Sequence, residues 1–185
     1  MPCSITLTAQ SLDCSPNIGG LKAVWLANRA DVKVISNSPT DNKVKLDKAD
    51  AATNPVFKKI GVRSGISSLT STAQVSEENN TLYYRDEAAV VVNKLTQTLV
   101  ALIKRIPSGD VVVVAEDMNG NKWALGFDVA VTSNARIYPV TVAGSVLETG
   151  TAKTDRNGGT LTLACEHPGP LVALDSTTSA SLFSN

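Results

Sequence analysis

The stretch GISSLTSTAQVSEENNTLYYRDEAAVVVN, residues 65–93, sets the class of fold. In an extended chain successive side chains point to opposite faces. Leu69, Ala73 and Val75 therefore share one side, and Ser68, Thr70, Thr72, Gln74 and Ser76 share the other. Asn79-Asn80 is a turn signal, and TLYYRDEAAVVVN (81–93) runs back. The pattern predicts a long antiparallel hairpin with one wet, hydroxyl-rich face.

The segment after the hairpin changes period. In NKLTQTLVALIKRIPSGD (93–110), Leu95, Leu99, Leu102 and Ile106 recur at four-, three- and four-residue spacing, the stripe of one helix packed through a single face. Asn93 is its expected N-cap, Lys104 and Arg105 suit the negative end of the helix dipole, and Pro107 and Gly109 stop it. DVVVVAED (110–117) is apolar without alternation, as a strand buried on both faces would be. Asn119-Gly120 predicts a tight hairpin turn into KWALGF (122–127). VAVTSN (129–134), ARIYPVTVAGSVL (135–147) and TLTLACE (160–166), the last preceded by the turn DRNGG, extend the sheet.

Upstream, LKAVWLAN (21–28), DVKVIS (31–36) and PVFKKIGVR (55–63) read as strands. In the first, Lys22, Val24 and Leu26 fall on one face. Residues 38–54 are charged and turn-rich and read as a loop insertion, with KVKL as a short strand candidate inside it. Residues 1–20 read as an N-terminal arm, 21–174 as one β-domain, and 175–185 as a loose polar tail. The expected fold is mainly β, an antiparallel sandwich or barrel with one flanking α-helix.

Composition narrows the function. Apolar residues make up 43% of the 185-residue chain but aromatics only 4%, a mix that suits thin β-layers better than an aromatic-lined ligand pocket. Seventeen basic residues balance seventeen acidic ones with no basic block, which argues against a dedicated nucleic-acid binder. Cys3, Cys14 and Cys165 form no CxxC pair and are expected to be reduced. No secretory leader or membrane-length apolar run is expected, so membrane insertion is not.

Catalytic and ligand motifs were weighed one by one. The single histidine, His167, sits in EHPGP beside Glu166 without a nucleophile elbow, and a turn or surface role is expected for it. Glu77-Glu78, Asp86-Glu87 and Glu116-Asp117 are adjacent pairs; neighbours in a strand diverge, so solvated strand ends are expected rather than a hydrolase pair. DMNGNKW (117–123) lacks the register of a calcium loop, and GVRSG (61–65) lacks the ending of a phosphate loop. Tyr83 and Tyr84 point opposite ways and precede Asp86 and Glu87, which suits packing better than base stacking. No catalytic, cofactor-binding or metal-ligating set is expected.

The order long polar hairpin, amphipathic helix, Asn-Gly strand pair, further strands resembles the tail-tube fold of phages, contractile injection systems and haemolysin-coregulated proteins. The segments CSPNIGGLKAVWLANRADV, VVVVAEDMNGNKWALGF and TGTAKTDRNGGTLTLACEHPGP are similar to predicted virion proteins from phages of Bacteroidetes-type hosts. The resemblance implies a non-enzymatic subunit that closes into stacked, usually sixfold rings, with the long hairpins of all copies forming the wall of a DNA conduit. Its partners would be further copies, other tail proteins and passing DNA, and its place the virion tail. On that reading Ser68, Thr70, Thr72, Gln74 and Ser76 face the lumen. The other readings are a neck, tail-completion or capsid decoration protein, and a carbohydrate-binding or adhesive β-sandwich module; two Trp and three Tyr make a poor sugar platform for the last.

Overall fold

A computed structural model describes residues 17–38, 41–63, 65–79, 81–106, 110–129 and 135–184. Cys3, Cys14, most of the expected N-terminal arm, Asn80 and the expected helix stop at Pro107 and Gly109 lie outside them. In chain order the strands are β1 Leu21–Asn28, β2 Val32–Ser38, β3 Lys43–Lys48, β4 Lys58–Ile60, β5 Ser68–Ser76 and β6 Thr81–Val92. Helix α1, Gln97–Arg105, follows, and then β7 Val111–Asp117, β8 Lys122–Leu125, β9 Phe127–Asp128, β10 Arg136–Ile137, β11 Thr141–Glu148, β12 Gly158–His167 and β13 Val172–Leu174.

The continuous apolar run of β7 explains the architecture. Val111, Val113 and Ala115 belong to one core, and Val112 and Val114 to a second on the opposite face. β7 sits inside a seven-stranded sheet of order β2-β3-β13-β8-β7-β1-β4, antiparallel except where β13 runs parallel to β3. On one face, a four-stranded antiparallel sheet of order β11-β12-β6-β5 covers the first core with Ala88, Val90, Leu161, Leu163 and Cys165. β9 and β10 form a two-stranded ribbon. The fold is thus a mainly β sandwich flanked by one helix, as the sequence pattern predicts.

A bulge in β1 between Leu21 and Ala23 shifts its register against β7. Leu21 therefore joins Val24 and Leu26 in the first core in place of Lys22, which stays exposed. The central strand β12 approaches its neighbours too closely for side chains at its start. A Cβ on Gly158 would lie 2.0 Å from the Val92 carbonyl oxygen, and one on Gly159 would lie 2.7 Å from Leu147 Cδ2. The DRNGG segment is therefore a packing requirement as well as a turn.

Three expectations are corrected. The segment 38–54 is not a loop insertion throughout: β3 pairs with β2 and β13, and Val44 and Leu46 are buried in the second core. Its polar residues alternate with these two apolar ones, so charge density masks the strand. The helix begins at Gln97, where the Thr96 side chain accepts a hydrogen bond from the Leu99 amide at 3.2 Å; Asn93 is not the cap. β6 is still paired through Val92, so Asn93 is leaving the sheet. Leu99 and Ile106 are buried and Leu102 packs against the first core, whereas Leu95 is half-buried ahead of the helix.

The polar tail is not loose either. Leu182 is fully buried, and Phe183 stacks on Phe57 with ring centroids 5.0 Å apart. The Phe57 amide donates to the Leu182 carbonyl, the Ser184 amide donates to the Phe57 carbonyl, and Trp25 Nε1 donates to the Ser184 carbonyl at 2.9 Å. Two apolar residues in an otherwise small and polar segment close the second core. Leu182→Ala is expected to destabilise the fold by about 2–5 kcal/mol, as truncation of a fully buried leucine does. Urea unfolding followed by tryptophan fluorescence checks this, with Trp25 as a local reporter.

Candidate assembly surface

The four-stranded sheet has one dry face and one wet face. Register places Ser68, Thr70, Thr72, Gln74 and Ser76 of β5 opposite Ala89, Glu87, Arg85, Tyr83 and Thr81 of β6. The same face continues through Thr160, Thr162, Ala164 and Glu166 of β12 to Thr141 and Val146 of β11. All five β5 positions expected to face water lie on this side, four of them exposed and Ser76 half-buried. The opposite face, through Leu69, Ala88 and Val90, meets the first core.

The electrostatics of the wet face are distinctive. Strands β5, β6, β11 and β12 contain no lysine. Their wet face carries the carboxylates Glu87, Glu148 and Glu166 and one guanidinium, Arg85, which lies 3.5 Å from both Glu87 and Glu166. Glu148 is paired in turn with Arg156 from the adjoining loop. A surface of hydroxyls with a slight acidic excess offers phosphates nothing to grip.

The hairpin also outruns its own core. Toward its tip both faces of β5 and β6 are open: Val75 is 69% exposed and Leu82 50%, although both lie on the face that is dry nearer the base. At the opposite end of the sheet, Val146 of β11 is 58% exposed. β5 and β11 are the two edges of this sheet. An uncovered edge is a row of unpaired amides and carbonyls ready to receive another strand.

Beneath the wet face lies a pair the sequence reading placed wrongly. His167 is not a turn residue: β12 runs through it, and its side chain is buried. Asp86 is not a solvated strand end: it is fully buried, and His167 Nε2 lies 2.6 Å from its Oδ2. A carboxylate only accepts, so Nε2 carries the proton. The signal was alternation. Leu161, Leu163, Cys165 and His167 occupy every second position of β12, and Asp86, Ala88 and Val90 every second position of β6; the proline after His167 suggested a loop one residue too early.

Cys165 shares that buried face but is not an activated nucleophile. Burial, reinforced by the nearby Asp86 and Glu166 carboxylates, pushes its thiol up to about 12. None of the described cavities is lined by Cys165, His167 or Asp86. The groove between α1 and β4, which Leu102, Arg105, Lys58 and Lys59 help to line, contains no aromatic ring to stack on a sugar. At the β7–β8 turn the Asp117 carboxylate is held below its ordinary range: the Asn121 and Trp123 side chains and the Asn119 and Asn121 amides all donate to it, outweighing burial. It is a self-satisfied turn, and no group of three His, Cys, Asp or Glu side chains suited to a metal occurs among the described residues. No described helix is long and apolar enough to cross a membrane.

What these features define is a mainly β sandwich presenting a lysine-free sheet with two open edges. No family model, curated protein or solved structure matches the chain.

The thiol carries a prediction. Cys165 is expected to resist thiol reagents at pH 8 in the native protein and to react fully in denaturant, read by absorbance of the released thiolate. Because its folded value is raised, its contribution to stability is full below about pH 9, the ordinary value for the thiol, and is lost as pH climbs toward about 12. Cys165→Ser is expected to remove that alkaline component from a stability–pH profile.

Proposed function

We propose that this chain is a structural virion protein, the tail tube subunit of a phage-type particle, which closes into stacked and probably unmodified homo-oligomeric rings through which DNA passes. The observation that carries the reading is the lysine-free, hydroxyl-lined sheet whose two edges stay unpaired within one copy. A conduit wall must be wet and must not trap phosphates, because each lysine or arginine bound to a phosphate adds a salt-dependent hold on the cargo. Rings solve the edge problem, since closure leaves no edge strand exposed. The buried, poorly nucleophilic thiol and the groove without aromatics favour this reading over an enzyme or a sugar-binding module.

Negative-stain electron microscopy of the purified protein tests it. Rings or tubes are expected. Dispersed monomers at high concentration would instead favour a binding module, and a capped single ring that never stacks would favour a neck or completion protein. The lumen assignment has its own test. Thr70→Lys and Thr72→Lys replace exposed side chains, so the midpoint of thermal unfolding is expected to stay within a few degrees of wild type. Rings of that double variant are expected to retain short DNA fragments at low salt that wild-type rings release, read by co-sedimentation.

A further inference from the structure

Resting on the tube-subunit reading, we infer that successive copies join by antiparallel pairing of β5 with β11 of the next copy, in a register that tilts every strand about 40° from the ring axis. Three independent features lead there.

The first is direction. β5 is antiparallel to β6, β6 to β12 and β12 to β11. β5 and β11 therefore run oppositely, and joining them continues the alternation without a break. Their lengths match, at nine and eight residues.

The second is the absence of edge protection. Natural edges are blunted by short length, lysines, prolines or bulges. The edges of the seven-stranded sheet follow that rule: β4 has three residues, two of them Lys58 and Lys59, and β2 carries Lys33 and a bulge between Val34 and Ser36. β5 reads SLTSTAQVS with no charge at all, and β11 reads TVAGSVLE with its only charge at the last position. These two edges are built to be covered.

The third is the stagger of the sheet. Thr72, the middle of β5, is level with Arg85 of β6. The middle of β11, at Gly144 and Ser145, is level through Thr162 and Leu161 with Ala89 and Val90 of β6. Full overlap of β5 with the next β11 therefore shifts each copy by about five residues along the strands for every four strands crossed, or ~17 Å along for ~19 Å across. That slope is about 40°, inside the ~35–45° range that closed barrels adopt. It holds for any number of copies, because shift and strand count grow together.

Matching wet face to wet face fixes the alternation. Thr72 then falls opposite Gly144 or Val146 of the neighbour, and Ser71 never does. Residues directly opposite in an antiparallel pair have Cα atoms ~4.5–5.5 Å apart, within disulfide reach. A Cβ at Gly144 meets no atom within 4 Å, so cysteine fits there.

The test uses the full chain with Cys3→Ser and Cys14→Ser, Cys165 being buried. Pairs of substitutions are oxidised after assembly and run on non-reducing gels. Thr72→Cys combined with Gly144→Cys or with Val146→Cys is expected to give a ladder of covalent oligomers ending at ring size. Ser71→Cys with Val146→Cys is expected to give none. Thr72→Cys alone giving covalent dimers would mean that β5 pairs with β5 and would overturn the junction. Rings by microscopy without either ladder would overturn the junction and leave the tube reading standing. A ladder without closed rings would keep the junction and overturn the tube.

Discussion

Val111–Ala115 has water on neither side, and the rest of the molecule follows from that constraint. A strand buried on both faces needs two covers. The four-stranded sheet and α1 supply one, through Ala88, Val90, Leu161, Leu163 and Ile106. The other is assembled from distant parts of the chain: Val44 and Leu46 of β3, Phe57, and Leu182 almost at the C-terminus. The second cover explains why the polar last ten residues are held in place and why the charged segment after β2 contributes a strand.

The four-stranded sheet meets the opposite condition. It is dry on one face only, and only over part of its length. Where it overlies the seven-stranded sheet, alternation is clean, with Ala88 and Val90 inward and Glu87 and Ala89 outward. Beyond that overlap Val75 and Leu82 keep an apolar character with nothing beneath them in one copy. A hairpin alone is marginal in water. Ordered strands that leave apolar side chains and uncharged edges open are therefore better suited to an assembly than to an isolated subunit.

Between these two regimes sits the Asp86–His167 pair, where the dry face ends. It ties β6 to β12 with a single charge-assisted contact, and one further polar atom on each side chain has no partner among the described residues. Buried pairs of this kind contribute more to holding one arrangement than to net stability. Here the arrangement held is the register of the two central strands, from which the stagger of the edges follows.

Much of this was readable from local pattern. Period-two alternation in 68–76 identified the wet face, the four-three-four spacing of Leu95, Leu99, Leu102 and Ile106 identified a helix, and the unbroken apolar run at 111–115 identified a doubly buried strand. Those signals are local because side-chain direction is set by the backbone repeat itself. The cap at Thr96, the burial of His167 and Asp86, the β3 strand and the docking of Leu182 and Phe183 were decided by tertiary structure. Each depends on a partner far away in sequence, and the free energy of burying a side chain is fixed by what arrives to cover it, which no local pattern records.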